Sequence, residues 1–93
     1  MELKDTIEMM NSGDYKERFK AEYHQTKIRY EKLKAFNTKI EAAEKTAWEN
    51  MASGHVVMPK HDCPPALLVA QQHAMGEYLH ILEVRAVIEG IEL

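Results

Sequence analysis

The sequence predicts an all-α fold: a short N-terminal helix, then a long antiparallel helical hairpin that assembles into a helical oligomer. Three observations predict it. No proline or glycine falls between Tyr15 and Met51, apolar residues recur through that stretch at alternating steps of four and three, and a second amphipathic run follows Pro64-Pro65. At 93 residues the chain has the size of one domain whose own core is only marginally sufficient, so a single domain over 1–93 and partner subunits are expected together.

The first helix is expected over about 2–11, where Leu3, Ile7 and Met10 make a stripe ~3 turns long that cannot stand alone. Asn11-Ser12-Gly13-Asp14 breaks it, and Ser12 or Asp14 is suited to cap the next helix, with Glu17 three residues beyond Asp14. That long helix is expected over about 14–51, with Phe19, Tyr23, Thr26, Tyr30, Leu33, Asn37, Ile40, Glu44, Ala47 and Met51 in one seam. Thr26, Asn37 and Glu44 stand where an optimised two-stranded coil carries aliphatic side chains, which favours a bundle. Ala52-Ser53-Gly54 opens a connection over about 52–63, and Asp62 is placed to cap a last helix over about 64–91 that starts on Pro64-Pro65. On it Leu67, Leu68, Gln71, Ala74, Met75, Tyr78, Leu79, Leu82, Arg85 and Ile88 share a broad face, and Glu77, His80, Glu83 and Glu89 lie mostly off it.

Helices of about 38 and 28 residues leave an overhang of ~15 Å at a rise of ~1.5 Å per residue. Read that way, Gln71, Tyr78 and Arg85 lie opposite Glu44, Asn37 and Tyr30, and Tyr15, Phe19 and Tyr23 project beyond the last helix. Such aromatics need cover from the first helix or from another subunit.

Composition narrows the function. A net charge of −3 argues against long nucleic acids, which need a broad basic footprint, and leaves room for a local patch that holds a small anion. No run reaches the ~18 apolar residues of a membrane span, and Met1-Glu2-Leu3-Lys4-Asp5 lacks the order of a secretory signal, so no membrane partner and a cytoplasmic location are expected. Cys63 is the only cysteine, and His55, His61 and Cys63 with Asp62 match no two-plus-two zinc spacing, so no metal is expected. Without a glycine-rich phosphate loop, a nucleophile elbow or paired carboxylates beside a base, the chain is expected to be no enzyme and to use no cofactor. Asn37, Glu44, Gln71, Tyr78 and Arg85 are polar residues within apolar seams and must be paired or wet. They either fix register in internal networks or line a pocket. Arg85 offers fork-shaped donors to phosphate or to a neighbouring carboxylate such as Glu22 or Glu44, and Arg18 combines a phosphate donor with the flat rings of Tyr15 and Phe19.

The spacings Tyr15-x-x-Arg18-x-x-x-Glu22, Lys32-Leu33-x-x-Phe36 and Leu67-Leu68-x-x-Gln71-x-x-x-Met75-x-x-Tyr78-x-x-x-Leu82-x-x-Arg85 resemble the helical hairpin of phage anti-CBASS and anti-Thoeris proteins. The resemblance covers both long helices. It implies a phage or prophage anti-defence sponge that sequesters a cyclic di- or trinucleotide immune messenger without cleaving it. It also implies a homo-oligomer, hexameric in the anti-CBASS branch, with ligand held at subunit interfaces. Tyr15, Arg18, Gln71, Tyr78 and Arg85 are the motif positions of the right chemical type for ligand binding. The chain departs from the pattern at Thr26, where relatives tend to carry leucine, and in a longer connection. The alternative is a helical interaction module that binds a host or phage protein through the apolar connection or the overhanging aromatics.

Overall fold

A computed structural model of the chain describes residues 1–47 and 57–93. A 3-10 turn, Leu3–Thr6, runs into the one-turn helix α1, Ile7–Met10; α2 spans Tyr15–Lys45 and α3 spans Pro65–Glu89. The described residues are all-α. Asp14 caps α2 as its spacing suggests: its Oδ1 accepts from the Lys16 N–H at 3.1 Å, while Ser12 Oγ accepts from the Asp14 N–H at 3.0 Å. α2 ends at Lys45, where the Thr46 N–H and hydroxyl both donate to the Ala42 carbonyl, at 3.1 and 2.7 Å. The sequence expectation ran to Met51, which with the rest of 48–56 lies outside the described residues.

α3 starts differently from the expectation. Asp62 is not its cap; Pro64 takes the N-cap place and its carbonyl accepts from the Leu67 and Leu68 N–H groups at 3.0 and 3.3 Å, with Pro65 fitting the first turn because it lacks a donor there. The far end closes on Gly90, whose φ of 68° is open to glycine at little strain. That turn lets the Ile91 N–H reach the Ala86 carbonyl at 2.8 Å and buries Ile91 against the hairpin.

The register of the hairpin corrects the overhang reading. Phe19 and Tyr23 pack with Leu79, Leu82, Ala86 and Ile91 into the core, so α3 covers the start of α2 and the aromatics there do not project. Tyr78 meets Glu22 rather than Asn37, Arg85 meets Tyr15 rather than Tyr30, and Asn37 meets Leu68 and Gln72. The end of α3 is level with the start of α2, where Tyr15 meets Arg85 and Glu89, and its start is level with Asn37, which meets Leu68 and Gln72.

Burial splits what the sequence suggested was one broad face of α3. Leu68, Gln72, Met75, Leu79, Leu82 and Ala86 turn toward α2 and are half-buried or buried. Leu67, Gln71, Ala74, Tyr78, Ile81, Arg85 and Ile88, roughly a quarter turn round at ~100° per residue, are exposed. The α2 seam is buried at Phe19, Tyr23, Asn37 and Ile40, half-buried at Thr26, Tyr30 and Leu33, and exposed at Glu44. The N-terminal stripe also shifts. Ile7 and Met10 are exposed, whereas Thr6 is fully buried with Leu3 and Met9 half-buried, because the 3-10 turn repeats every three residues. Thr6 Oγ1 donates to the Leu3 carbonyl at 2.7 Å and accepts from Gln25 Nε2 at 2.9 Å, which docks the turn on α2.

Candidate functional site

Tyr15 is the first residue of α2 and Arg85 lies one turn before the end of α3, so the antiparallel register brings them together. Arg85 Nη2 donates to the Tyr15 hydroxyl at 2.7 Å, Arg85 Nε donates to Glu89 Oε2 at 3.2 Å, and the Tyr15 hydroxyl donates to Glu89 Oε1 at 3.0 Å. Phenol, guanidinium and carboxylate form a closed ring of charge-assisted bonds. Beneath it the guanidinium carbon sits 5.1 Å from the centre of the Phe19 ring, a cation–π distance that fixes the plane of the fork. Glu89 is thus the carboxylate that Arg85 finds, one turn along its own helix, rather than Glu22 or Glu44 from α2. Glu89 was legible as an i, i+4 partner of Arg85, and the sequence reading placed it off the face.

Tyr78, two turns before Arg85, donates its hydroxyl to Glu22 across the hairpin. Hydrogen bonding to that carboxylate raises the Tyr78 phenol above its ordinary pKa, with partial burial adding to it. The Tyr15 phenol is raised likewise, first by its bond to Glu89. Both phenols therefore stay protonated far above neutral pH and serve as hydrogen-bond donors, not as bases.

Arg18 and Gln71 do not join this group. Arg18 Nη1 donates to the Ser12 carbonyl at 2.9 Å and closes the turn between α1 and α2. Gln71 is exposed, with Nε2 turned toward the Met75 sulfur at 3.9 Å, and lies roughly 21 Å along the helix from Arg85 at ~1.5 Å per residue. The structure brings together Tyr15 and Arg85, and leaves Tyr78 on Glu22 about 10 Å along α3 at ~1.5 Å per residue, with Gln71 on the same stripe further along.

The chemistry of this face is recognition. Arg85 spends two of the five guanidinium N–H groups on Glu89 and Tyr15, its side chain is 47% exposed, and the other three N–H groups have no partner among the described residues. Exposed Ile81, Val84 and Ile88 surround it with apolar surface. Elsewhere a groove of about 410 Å³ is lined by His24, Lys27, Ile28 and Lys32, and burial, then the Lys27 charge, holds the His24 imidazole below its ordinary pKa. None of the five sequence-derived residues lines that groove. His61 turns Nδ1 to the Pro59 carbonyl at 2.8 Å, Cys63 is exposed, and His55 lies outside the described residues. No helix among the described residues is long and apolar enough to cross a membrane.

Fold and face together define a small helical-hairpin protein that presents one guanidinium and two phenols on an open, partly apolar surface. Residues 13–88, which take in both long helices, match the family model described as Sequestin, and the chain belongs to that family. No curated protein and no solved structure matches it.

Proposed function

We propose that this chain is a phage or prophage anti-defence protein that binds and sequesters a cyclic di- or trinucleotide immune messenger, without cleaving it, in the cytoplasm of the bacterial host. The observation that carries the reading is Arg85: a guanidinium oriented by Phe19, Tyr15 and Glu89, with three N–H groups unpartnered among the described residues, two turns of α3 from the exposed ring of Tyr78. A phosphodiester takes the free donors of the fork, and a base stacks on the phenol ring. The family name points to sequestration, and a sponge needs affinity alone, which suits phenols held as donors. On this reading the protein works as a homo-oligomer, because one protomer leaves the face open.

The test is a thermal-shift screen of the purified protein against cyclic di- and trinucleotides and cyclic ADP-ribose variants, with recovery of the compound afterwards. A compound at ~100 times its dissociation constant adds ~2.7 kcal/mol of stability and is recovered intact. Arg85→Ala abolishes that response. No stabilisation across the panel from a folded protein sinks the reading and moves the weight to a protein-binding module; recovery of a cleaved compound sinks the sponge.

A further inference from the structure

The hydrogen-bond ring round Arg85 uses one edge of the guanidinium and leaves another. Nε, bonded to Glu89 Oε2 at 3.2 Å, and Nη2, bonded to the Tyr15 hydroxyl at 2.7 Å, share the side edge of the fork, and the Tyr15 hydroxyl closes the ring on Glu89 Oε1 at 3.0 Å. The end edge, where one N–H of Nη1 runs beside the second N–H of Nη2, has no partner among the described residues. Two parallel N–H groups of that kind match two oxygens of one phosphate.

A carboxylate stands beside that edge and cannot leave it without losing two hydrogen bonds. Both oxygens of Glu89 are engaged, one by Arg85 and one by Tyr15, so its charge is held against the fork. Arg85 and Glu89 together carry no net charge. The open edge therefore offers an anion its donors with little of the long-range attraction of a bare arginine.

We propose that Glu89 is a specificity-determining residue of this site: it leaves Arg85 an end edge for one phosphate and penalises a second charge on that phosphate, which biases the site toward phosphodiesters over phosphomonoesters relative to a bare arginine. The inference rests on Arg85 as the anion site of the proposed function. Hydrogen bonds of ~2.8 Å on adjoining edges of one guanidinium place the phosphorus roughly 7 Å from the Glu89 carboxylate. At roughly that distance each further negative charge on the ligand costs about 3-fold in affinity at the dielectric constant of water, and more at the lower value of a protein surface. A phosphodiester carries one charge, and a phosphomonoester close to two above neutral pH. A cyclic oligonucleotide holds diesters alone, whereas its ring-opened form and the mononucleotides end in a monoester, so the carboxylate sorts one from the others.

The experiment follows the Arg85 guanidinium carbon resonance of the full chain, assigned by its loss in Arg85→Lys, during titration at low salt and mildly alkaline pH. The probes are dimethyl phosphate and methyl phosphate, which put one and two charges on the same group. Glu89→Gln keeps the shape of the side chain and removes its charge, and should improve the affinity for methyl phosphate at least ~3-fold more than that for dimethyl phosphate. Glu89→Asp keeps the charge and should stay near the parent ratio. Glu89→Ala repeats the measurement with the best helix former at that position, in case the amide variant folds poorly. An equal gain for the two probes overturns the selectivity and leaves Arg85 standing as an anion site. A resonance that answers to neither probe, in the parent or in the variants, overturns the inference together with the site beneath it.

Discussion

Where α2 begins and α3 ends, the helices bury Phe19, Tyr23, Leu79, Leu82 and Ala86 with Ile91, and the polar pairs Tyr23–Glu83, Tyr78–Glu22 and Tyr15–Arg85 cross the hairpin at the margin. Toward the connection they meet through Asn37, Ile40 and Ala43, with Leu68 and Gln72 on the other side. Large rings give the first half its apolar burial. The second half has a small core built round a polar residue. Asn37 is 7% exposed, its Nδ2 donates to the Leu68 carbonyl at 3.1 Å and to Gln72 Oε1 at 2.9 Å, and its Oδ1 has no partner. The carbonyl of Leu68 accepts only, so it fixes which way the amide points. The first half supplies stability and the second supplies register, since an amide pair of this kind exists in one alignment of the helices only.

The largest effect that separates the halves is expected at Leu82, which is fully buried. Leu82→Ala should cost about 2–5 kcal/mol by denaturant titration. Ile40→Ala should cost at least ~1 kcal/mol less, because Ile40 borders an open groove into which neighbours and water can relax. Equal costs would break the comparison.

Next comes Tyr23, whose phenol is pushed up to about 12, first by burial and then by its 2.6 Å bond to Glu83. A raised folded-state value stabilises the protonated form, so this contribution is complete below the unfolded value near 10 and fades as pH rises toward 12. Stability should therefore hold level to pH 10 and fall by on the order of 2 kcal/mol above it, and Tyr23→Phe should remove most of that fall. An unchanged alkaline limb in the Tyr23→Phe protein would assign the loss elsewhere.

A smaller effect is expected at Gly90, where an added side chain is strained at φ 68°. Gly90→Ala should lower stability by about 1 kcal/mol and speed amide exchange at Ile91. The smallest effect has the opposite sign. Asn37→Leu should leave stability unchanged or raise it by up to ~1 kcal/mol, because it removes a buried acceptor with no partner, and should broaden the amide spectrum of the connection half as register loosens. A loss of several kcal/mol would show that Asn37 stabilises rather than aligns.

Several parts of this structure were legible from single residues. Asp14 caps α2 because a short side chain with an oxygen stands before a proline-free and glycine-free run, and the start of α3 follows from Pro64-Pro65. The pairing of the helices was not legible, because register depends on which side chains of the two helices meet, and spacing within one helix carries no record of its partner. The same gap hid the partners of the polar residues. Tyr15 and Arg85 stood out by type, yet their meeting depends on α3 being carried back along α2. Thr6 escaped because a 3-10 turn has a different period from the helix assumed there.

The hydrogen bonds of Asn37 to α3 bridge 31 and 35 residues of chain, whereas Tyr23–Glu83 bridges 60 and Tyr15–Glu89 bridges 74. During synthesis α2 is complete, with its rings bare, well before Leu79 and Leu82 exist to cover them. Each doubling of a closed loop costs only ~0.6 kcal/mol in chain entropy, but the order of events is set by which partner is made first. The polar half is thus the one able to close earliest, and the amide that contributes least to holding the helices together is placed to decide how they meet.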